Sequence, residues 1–391
     1  MNTEQLDRRY FGRSKEGKME LAHAEGCILT STTGKKYIDF TSGYGVGNLG
    51  WNNPVILDRL EQYEGPDYVS PHFYYKEWSV LAELLAEVTP GKLKKSYRAT
   101  GGTEAVDIAL QAAISHTKRF KFIAVDDAYH GDSIATKALV KSEFGKTQHN
   151  FLNVHRIKPP FDKKTAEQIE KWLSKKDVAA LIMEPIVLNL GVEVPDREFM
   201  QKIAKDCKKY GTVLIMDEVM TGFGRTGKLF ATEYFDIEPD ILCLAKSLSS
   251  GAGAIGAVVV TEDISKSMEK DSGYYSTYGW HPHSVEAAIA TVEYFKNNQE
   301  AIFRHVDLMS DYFYDRIFEM PFESEMEIRI AGLAIAVDFK DEEYAKKIVK
   351  KALQNGLLLA GGEGKIQMYP ALTIDKVTAK KGLDILEKSS I

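Results

Sequence analysis

Residues 241–260 read ILCLAKSLSSGAGAIGAVVV, and this stretch carries two competing signals. Gly251, Gly253 and Gly256 have the spacing G-x-G-x-x-G, which favours a dinucleotide-binding turn. Lys246 is a single cation in an apolar run, which favours an amine that reacts with an aldehyde. A dinucleotide site needs a helix directly after the glycines, because the helix N-terminus binds the pyrophosphate. The residues that follow, AVVVT, predict a strand instead, so the glycines are interpreted as a turn between two strands.

The same pattern of buried strands extends through the middle of the chain. The segments FKFIAVDDAY, AALIMEPIV, TVLIMDEV and DILCLAK are rich in Val, Ile and Leu without polar alternation, and stretches with helical periodicity separate them. Strands of this kind are typical of a parallel sheet that is covered by helices on both faces. The sequence therefore predicts an α/β fold with a doubly wound, mostly parallel sheet.

The two ends of the chain predict a different order of strands and helices from that of the middle. Near the N-terminus, CILTSTTGKKYIDFTSG predicts a short hairpin. Beyond residue 284 one long helical stretch is followed by IRIAGLAIAVDF, EEYAKKIVKKALQNG and LLLAGG, which predict a strand, a helix and a strand. We expect an N-terminal segment at 1–45 that packs with a small α+β domain at 296–391, and a large domain at 46–295 between them.

Composition and charge narrow the classes of partner. The 391 residues carry a formal net charge of -6 and no broad basic face, so neither nucleic acid nor an anionic membrane is expected as a partner. The polar N-terminus does not resemble a signal peptide, and no apolar run reaches the roughly 18 residues that span a bilayer. Cys27, Cys207 and Cys243 lack the paired spacing of a disulfide framework or a zinc knuckle, and no metal site is predicted. We expect a cytoplasmic protein.

A carboxylate motif supports a reactive role for Lys246. TVLIMDEV places Asp217 and Glu218 at the C-terminal end of a buried strand, where open α/β sheets bind their ligands. A carboxylate at that place can keep a pyridinium nitrogen protonated, and a pyridoxal site needs this partner together with the imine lysine. Taken alone, Lys246 could also be a strand-end lysine whose ammonium reaches water.

A candidate phosphate site lies further upstream. In RATGGTEAVDIAL, Gly101, Gly102 and Thr103 lead into a predicted helix, whose first turn offers free N–H groups and a hydroxyl to a phosphate. The alternative is an ordinary helix start with Thr103 as its N-cap. A lysine, a carboxylate and a phosphate turn together indicate a pyridoxal-phosphate site.

Long segments of the chain resemble the class III pyridoxal-phosphate aminotransferases of fold type I. The segment at 216–251, MDEVMTGFGRTGKLFATEYFDIEPDILCLAKSLSSG, is similar to the signature of that family. The segments AEGCILTSTTGKKYIDFTSGYGVGNLG, ATGGTEAVDIAL, DAYHGDS, IMEPI, YSTYGWHPHSVEAA and IRIAGL occur in the family's order. The resemblance covers nearly the whole chain, and it implies a homodimer, the cofactor pyridoxal 5'-phosphate and the activity of an aminotransferase.

The resemblance also implies roles for individual residues. Lys246 would bind the cofactor aldehyde as a Schiff base and later move a proton between the substrate α-carbon and the cofactor, and Asp217 would bind the pyridine nitrogen. The other implied cofactor contacts are Val219 and Tyr129 on the two ring faces, Gly101, Gly102 and Thr103 on the phosphate, Thr277 on the phosphate of the neighbouring subunit, and Glu184 in the network beside the cofactor. Because Thr277 would serve the neighbouring site, each site would need both subunits.

Other matches concern the pocket and its scaffold. Tyr44 occupies a position that lines the substrate pocket in the family, although a core tyrosine would also fit. Glu184 could likewise be a structural residue at a strand end. Arg225 resembles a scaffold residue in an ion pair. Trp280 and His281 stand in the turn that reads Gly-Gly-Asn-Pro in the family, and they are expected to narrow the pocket entrance.

Two departures from the family pattern bear on the amine donor. Met220 follows DEV where the ornithine, acetylornithine and 4-aminobutyrate branches commonly have Gln. Asp132 follows the aromatic-His-Gly step where ornithine-type enzymes have Arg. Both positions are closer to the ω-amine and diaminopelargonate branches of the family.

The two usual carboxylate anchors of the family are absent. Many members place an arginine three residues before the proline of IQMYPALTI, where this chain has Gln367, and the ω-transaminase branch places one at the position of Ala360. A neutral amide cannot replace the bidentate contact of an arginine with a carboxylate. Two hypotheses follow. Either another cation serves, with Arg329, Lys365 and Arg98 as the candidates, or the amine carries no carboxylate near the reacting carbon.

We interpret the chain as an aminotransferase that moves an amino group from an ω-amine, a diamine or a β- or γ-amino acid to a 2-oxo acid. The mechanism would be ping-pong, with pyridoxamine 5'-phosphate as the second form of the cofactor. A racemase, an aminomutase or a decarboxylase would need the same Lys246 and Asp217 and is the nearest alternative. A non-catalytic regulator would be expected to lack Lys246 or to carry an added DNA-binding segment, and a dinucleotide-dependent dehydrogenase would need a helix after the glycines.

Overall fold

The structure is a computed structural model that describes residues 2–12, 17, 19–140, 143–144, 147–148, 152–271 and 273–391. The strands are, in chain order, β1 (Leu21–Glu25), β2 (Ile28–Ser31), β3 (Lys36–Asp39), β4 (Leu93–Ala99), β5 (Lys121–Val125), β6 (Glu143–Phe144), β7 (Thr147–Gln148), β8 (Asn153–Ile157), β9 (Val178–Met183), β10 (Val213–Asp217), β11 (Ile241–Leu244), β12 (Gly256–Thr261), β13 (Met326–Ala331), β14 (Ala334–Phe339), β15 (Leu357–Leu358), β16 (Ala360–Gly362) and β17 (Lys365–Met368).

The helices are α1 (Thr3–Tyr10), α2 (Ser42–Gly45), α3 (Pro54–Glu61), α4 (Lys76–Val88), α5 (Gly102–Thr117), α6 (Ile134–Val140), α7 (Lys163–Leu173), α8 (Arg197–Tyr210), α9 (Glu262–Asp271), α10 (Pro282–Phe318), α11 (Glu342–Gln354) and α12 (Lys376–Ser390), and Ala231–Phe235 and Lys246–Leu248 form short 3₁₀ helices. Their ends follow simple local chemistry. Pro282 opens α10, because the first turn of a helix needs no N–H from that position. Gly211 ends α8 at a φ of 65°, as its sequence predicts.

A seven-stranded sheet forms the centre of the molecule, in the order β4-β12-β11-β10-β9-β5-β8. Neighbouring strands from β11 to β8 are parallel, whereas β12 is antiparallel to both β11 and β4. Strands β9, β10 and β11 are buried along their whole length, as their uninterrupted apolar sequences require. The prediction of a mostly parallel α/β sheet is therefore confirmed.

Strands from both ends of the chain share a second sheet. The predicted hairpin is present as β2 and β3, and β15 extends this sheet by pairing in parallel with β3, so that Leu357 lies opposite Ile38. A third sheet has the order β13-β14-β17-β16 and is antiparallel throughout. Helix α10 runs for 37 residues from the central sheet towards these C-terminal strands.

Two sequence predictions of strands need correction, and one strand was missed. IRIAGLAIAVDF forms two antiparallel strands, β13 and β14, that turn at Gly332 with a φ of 56°. LLLAGG is divided between β15 and β16, which belong to different sheets. Strand β4 was not predicted, because its sequence, LKKSYRA, is largely polar. Only the two end residues of this strand are fully buried, so it needs no long apolar run.

The length and apolar character of the helices bear on whether they could cross a membrane. Within the residues that the structure describes, no helix combines the length and the apolar character that crossing a bilayer requires.

Candidate active site

The carboxyl ends of the parallel strands bring the candidate residues together at one edge of the central sheet. Asp217 is the last residue of β10, Lys246 follows β11 by two residues, and Glu184 directly follows β9. The start of α5 follows β4 on the same edge, and Tyr129 follows β5. Open α/β sheets bind ligands at this edge. Here it borders a cavity of about 860 Å³.

Most of the predicted site residues line this cavity. They are Tyr44, Gly101, Gly102, Thr103, Tyr129, Glu184, Asp217, Val219 and Lys246. Met220 and parts of the glycine-rich loop after Lys246 complete the wall. That loop connects two strands, since β12 begins at Gly256, so its interpretation as a turn rather than a dinucleotide site is confirmed.

Two hydrogen bonds hold the carboxylate of Asp217. His130 Nδ1 lies 2.7 Å from Asp217 Oδ2, and the backbone N–H of Val219 donates to Oδ1 at 3.0 Å. Because an ionised carboxylate only accepts hydrogen bonds, this geometry suits an imidazole that donates from Nδ1 to Oδ2. Both side chains are buried. Asp217 is therefore a fixed carboxylate with lone pairs left for a protonated ring nitrogen.

Lys246 occupies a strained backbone position. Its φ is 45°, a left-handed value that is uncommon for residues with a Cβ and that clusters at functional sites. Burial lowers the pKa of its ammonium, the carboxylates of Glu184 and Asp217 oppose this effect, and the Arg225 charge adds to it. The lowered pKa favours the neutral amine, which is the form that attacks an aldehyde.

Glu184 is a buried acid that titrates near neutrality. Burial first, and then repulsion by Asp217, raise its pKa to about 7. Its Oε2 accepts the N–H of Leu188 at 3.3 Å, whereas Oε1 has no partner among the described residues. The Oε1 atom can therefore donate or accept a hydrogen bond within the cavity.

The predicted phosphate turn lies at the start of α5. Gly101 is its N-cap without a side-chain hydrogen bond, so the alternative with Thr103 as N-cap is wrong. The first N–H groups of the helix have no intrahelical partner and attract an anion. Thr103 Oγ1 accepts the N–H of Asp132 at 3.3 Å, which leaves its own proton free to donate. A Cβ on Gly102 would lie 3.0 Å from Cγ1 of Val219, so glycine lets the start of α5 pack closely against that side chain.

The glycine-rich loop packs against the phosphate turn. A Cβ on Gly256 would lie 2.5 Å from the carbonyl oxygen of Gly101, which no real contact tolerates. Gly251 has a φ of 87°, a value that suits glycine. These glycines therefore permit close backbone approach beside the phosphate turn.

Three predicted residues lie outside the cavity of this chain. Thr277 is exposed, and the sequence resemblance assigns it to the site of a neighbouring subunit. Trp280 is buried behind the glycine-rich loop, where its Nε1 donates to the carbonyl of Gly256 at 2.8 Å. Gln367 donates from Nε2 to the carbonyl of Leu188 at 2.9 Å.

Arg225 is a scaffold residue, but its partners are neutral. Its guanidinium is fully buried and donates to the carbonyls of Leu333 and Pro370 and to Oδ1 of Asn48. None of these partners is a carboxylate, so the expected ion pair is replaced by a fork of neutral acceptors. Burial lowers the pKa of Arg225 to about 9.

His130 and Asn189 are among the residues of the cavity wall that sequence reasoning missed. His130 stands beside Tyr129 in the aromatic-His-Gly step, and this position next to a predicted site residue was the available signal. Asn189 lies in the loop after β9, and the path of this loop places it at the cavity wall. Its sequence surroundings carry no pattern that would have singled it out.

The donors and acceptors of the cavity fit pyridoxal phosphate. The phosphate turn suits a phosphate, Asp217 suits a protonated ring nitrogen, and Lys246 suits an aldehyde. Two buried polar atoms, His130 Nε2 and Glu184 Oε1, lack a partner among the described residues, and such atoms call for a polar ligand or water.

Comparison with protein families gives one match along nearly the whole chain. The family described as Aminotransferase class-III matches residues 11–389.

Solved structures with the same fold include several transaminases. A transaminase from the marine bacterium Virgibacillus is 23% identical with a TM-score of 0.90, over 99% of this chain and 97% of that chain. The taurine:2-oxoglutarate aminotransferase from Bifidobacterium kashiwanohense, in complex with PLP and glutamate, is 25% identical with a TM-score of 0.89, over 99% and 96%. The omega transaminase from Pseudomonas jessenii, in complex with PMP, is 22% identical with a TM-score of 0.90, over 100% and 97%.

Proposed function

Because this chain belongs to the class III aminotransferase family and is a pyridoxal-phosphate-dependent transaminase, we propose that it acts on ω-amines, diamines or β- or γ-amino acids. The amino group would pass to a 2-oxo acid in two successive half-reactions. One observation carries the transaminase chemistry: a lysine with a lowered pKa, a fixed carboxylate and the start of α5 face the same cavity. Met220 in the cavity wall and Asp132 depart from the ornithine-type pattern, and they support the proposed class of donor.

The chemistry is divided between the cofactor and the chain. Bound pyridoxal phosphate supplies an aldehyde carbon that takes up the amine and a ring that withdraws electrons from the substrate carbon. Lys246 would hold the aldehyde carbon at rest, and its released Nζ would take a proton from the substrate carbon and deliver it to the former aldehyde carbon of the cofactor. Asp217 would keep the ring nitrogen protonated, while His130 fixes the orientation of Asp217.

The remaining cavity residues would hold the cofactor in place. Gly101, Gly102 and Thr103 would bind its phosphate through N–H groups and a hydroxyl, and Val219 and Tyr129 would contact the ring faces. The fit is supported by the cavity that these five residues line together. Glu184 Oε1 would bind a polar atom of the cofactor or of a water beside it.

A direct test is the absorbance spectrum of the purified holoenzyme before and after one amine is added without an acceptor. Transfer predicts loss of the visible absorbance of the aldehyde form and its return when pyruvate is added. Lys246→Ala is expected to abolish the response, whereas Lys270→Ala, on the exposed side of α9, is expected to retain it. A visible band that persists with every amine, while an amino acid is racemised or decarboxylated, would contradict a transaminase.

We also propose a homodimer in which Thr277 completes the neighbouring site. The exposure of Thr277 in this chain supports the proposal. Lys246→Ala and Thr277→Ala chains, unfolded and refolded together, would test it. Half of the dimers would be mixed and would contain one intact site of two, so about a quarter of all sites would be active. Activity no higher than the mean of the two separate variants would contradict shared sites.

The division into a segment at 1–45, a large domain at 46–295 and a small domain at 296–391 is likewise a proposal. The pairing of β15 with β3 supports the packing of the N-terminal segment with the C-terminal part. Helix α10 passes through residue 295 without a break, so this boundary would be a change of packing partners within one helix.

A further inference from the structure

We propose that Glu104 is a positioning residue for the neighbouring cofactor site, because it attaches the segment that carries Thr277 to the predicted phosphate turn of its own chain. We call residues 274–280 the bridging segment. The inference rests on the proposed homodimer, in which Thr277 of one subunit completes the cofactor site of the other. It assigns to Glu104 an effect on cofactor binding in the other subunit.

The two carboxylate oxygens of Glu104 bond two different parts of the chain. Glu104 lies in the first turn of α5, and its Oε2 accepts the backbone N–H and the hydroxyl of Thr100, both at 2.6 Å. Its Oε1 accepts the hydroxyl of Tyr274 at 2.8 Å. Thr100 lines the cavity directly before the phosphate turn, whereas Tyr274 begins the bridging segment. One carboxylate therefore joins the cavity wall to the bridging segment.

The carboxyl group of Glu104 is ionised at neutral pH. Burial acts to raise its pKa, but the hydrogen bonds from Thr100, Ser276 and Tyr274 lower that pKa below its usual value. Hydrogen bonds to an ionised group are stronger than those between neutral groups. The bridging segment is therefore attached more firmly than a neutral side chain at position 104 would allow.

Ser276 brings this attachment next to Thr277. Ser276 is buried, and its Oγ accepts the backbone N–H of Gly279 at 3.0 Å, which closes a turn that contains Thr277 and Tyr278. Its hydroxyl proton bonds to Glu104. Thr277 itself is exposed at the tip of this turn. The hydroxyl of Thr277 is thus presented outwards by a turn whose base is fixed to α5.

The other end of the bridging segment packs beside the same phosphate turn. A Cβ on Gly279 would lie 2.8 Å from the carbonyl oxygen of Arg98, so Gly279 lies directly against β4. Trp280 Nε1 donates to the carbonyl of Gly256, and a Cβ on Gly256 would lie 2.5 Å from the carbonyl oxygen of Gly101. Both ends of the segment are therefore held next to the start of α5.

A fixed bridging segment favours binding of the cofactor by the other subunit. A side chain that is free to move must be ordered when it binds a ligand, and this ordering costs free energy. Because Glu104 holds the turn in place, Thr277 avoids part of that cost. Loss of the attachment is expected to weaken cofactor binding at the site that Thr277 completes.

A role as a helix cap alone would affect a different site. A glutamate at the third position of a helix commonly bonds a backbone N–H at the helix start, as Glu104 does with Thr100. Such a cap would support only the phosphate turn of the same chain. The two roles are therefore distinguished by which subunit responds when Glu104 is replaced.

Mixed dimers with a single Lys246 separate these roles. One chain carries Lys246→Ala and one affinity tag, the other chain keeps Lys246 and carries a second tag, and two successive affinity steps isolate the mixed dimer. Only the chain that keeps Lys246 bonds the cofactor covalently, and Thr277 of the Lys246→Ala chain completes its site. Titration of the cofactor-free mixed dimer with pyridoxal phosphate, followed by the visible absorbance of lysine-bound cofactor, gives the half-saturating concentration of that one site.

Thr277→Ala in the Lys246→Ala chain sets the scale of the effect. The phosphate would lose one hydrogen-bond donor, so the half-saturating concentration is expected to rise about threefold or more. An unchanged concentration would contradict shared sites and would overturn this proposal together with the homodimer. The transaminase chemistry would still be judged separately, from the response of the unmodified enzyme to amines.

Tyr274→Phe in the Lys246→Ala chain tests the attachment itself. It removes the hydroxyl that Glu104 accepts and leaves the bonds between Glu104 and Thr100 intact, and we expect a rise of about threefold or more. Glu104→Ala in the same chain is expected to have a larger effect, because it removes every bond of the carboxylate. Glu104→Gln keeps the shape of the side chain and provides a second variant in case Glu104→Ala does not fold.

Tyr97→Phe in the Lys246→Ala chain is the matched control. Tyr97 Oη lies 3.2 Å from Ser265 Oγ on α9, so this variant also removes one hydrogen bond of a partly buried tyrosine, but outside the bridging segment. Its half-saturating concentration is expected to stay unchanged, and an increase equal to that of Tyr274→Phe would overturn the proposal. The proposal is also overturned if Thr277→Ala raises the concentration while the variants at Tyr274 and Glu104 do not.

Discussion

His130 Nδ1 lies 2.7 Å from Oδ2 of Asp217, and both side chains are buried at the carboxyl edge of the central sheet. A buried carboxylate is stable only when a partner compensates its charge or satisfies its lone pairs. Here an imidazole N–H and the backbone N–H of Val219 do so before any ligand binds. The carboxylate is therefore oriented in advance for a cationic ring nitrogen.

Removal of this imidazole is expected to weaken cofactor binding. His130→Phe keeps an aromatic ring of similar volume but leaves Oδ2 of Asp217 without its donor, and the loss of one partner of a buried charged pair is costly. We expect the affinity for pyridoxal phosphate to fall about ten- to hundred-fold. Equilibrium dialysis of the cofactor measures the change directly.

A histidine outside the site provides the control for this substitution. His155 on β8 stacks on Trp172 with ring centres 4.5 Å apart, and His155→Phe preserves that aromatic contact. Its cofactor affinity is expected to match that of the unmodified protein. If His130→Phe binds the cofactor as tightly as His155→Phe does, the imidazole does not position Asp217.

The raised pKa of Glu184 predicts a pH dependence of stability. Burial and Asp217 raise that pKa from 4.5 to about 7. Below about pH 4.5 the carboxyl is protonated in both the folded and the unfolded chain. As the pH rises to about 7, the unfolded chain releases the proton first, so the folded state loses about 3 kcal/mol relative to it, in order of magnitude.

Thermal unfolding of the cofactor-free protein between about pH 5 and about pH 8 tests this assignment. Glu184→Gln cannot ionise, so its melting temperature is expected to rise relative to that of the unmodified protein as the pH increases. Glu170→Gln is the control, because Lys202 and Lys209 lower the pKa of Glu170 to about 2 and no proton is exchanged there in this window. A constant difference between Glu184→Gln and the unmodified protein would refute the assignment.

The sequence predicted the central strands and most of the cavity for a physical reason. Strands β9, β10 and β11 are buried on both faces, so their apolar runs are unbroken, and functional residues such as Asp217 and Lys246 follow directly at their ends. Strand β4 could not be recognised in this way, because Lys94 and Lys95 are exposed and interrupt its apolar pattern.

Hydrogen bonds between residues far apart in the sequence could not be predicted from local sequence patterns. The hydrogen bond between His130 and Asp217 joins residues 87 positions apart, and that between Gln367 and Leu188 joins residues 179 positions apart. Neither residue of such a pair carries a periodicity that identifies its partner. The turn at Gly332 was missed because apolar residues continue on both sides of it, so that two strands resembled one.

The third glycine of the G-x-G-x-x-G segment provides a steric prediction. A Cβ on Gly256 would lie 2.5 Å from the Gly101 carbonyl oxygen, so Gly256→Ala must displace the phosphate turn. We expect a loss of stability of about 1–3 kcal/mol, as for overpacked sites, together with weaker cofactor binding. Gly362→Ala is the control, because nothing lies within 4 Å of the added Cβ. Equal melting temperatures and cofactor affinities in the two variants would contradict close packing at Gly256.

The buried fork of Arg225 provides a further prediction about stability. Its guanidinium donates to the carbonyls of Leu333 and Pro370 and to Oδ1 of Asn48, and so joins the turn after β10 to three distant segments of the chain. Arg225→Lys keeps the charge, but one ammonium cannot reproduce the planar fork, and buried acceptors would lose their donors. We expect a loss of about 3 kcal/mol of unfolding free energy or more, seen as a drop of several degrees in melting temperature.

Arg119 provides the control for this substitution, because it also donates to backbone carbonyls but is less buried than Arg225. Arg119 Nη1 donates to the carbonyls of Val178, Tyr210 and Gly211, but its side chain is only partly buried. Water can replace a lost donor at Arg119 but not at the fully buried Arg225, so Arg119→Lys is expected to lower the melting temperature much less. If both variants melt at the same temperature, the fork at Arg225 contributes no more than a surface contact.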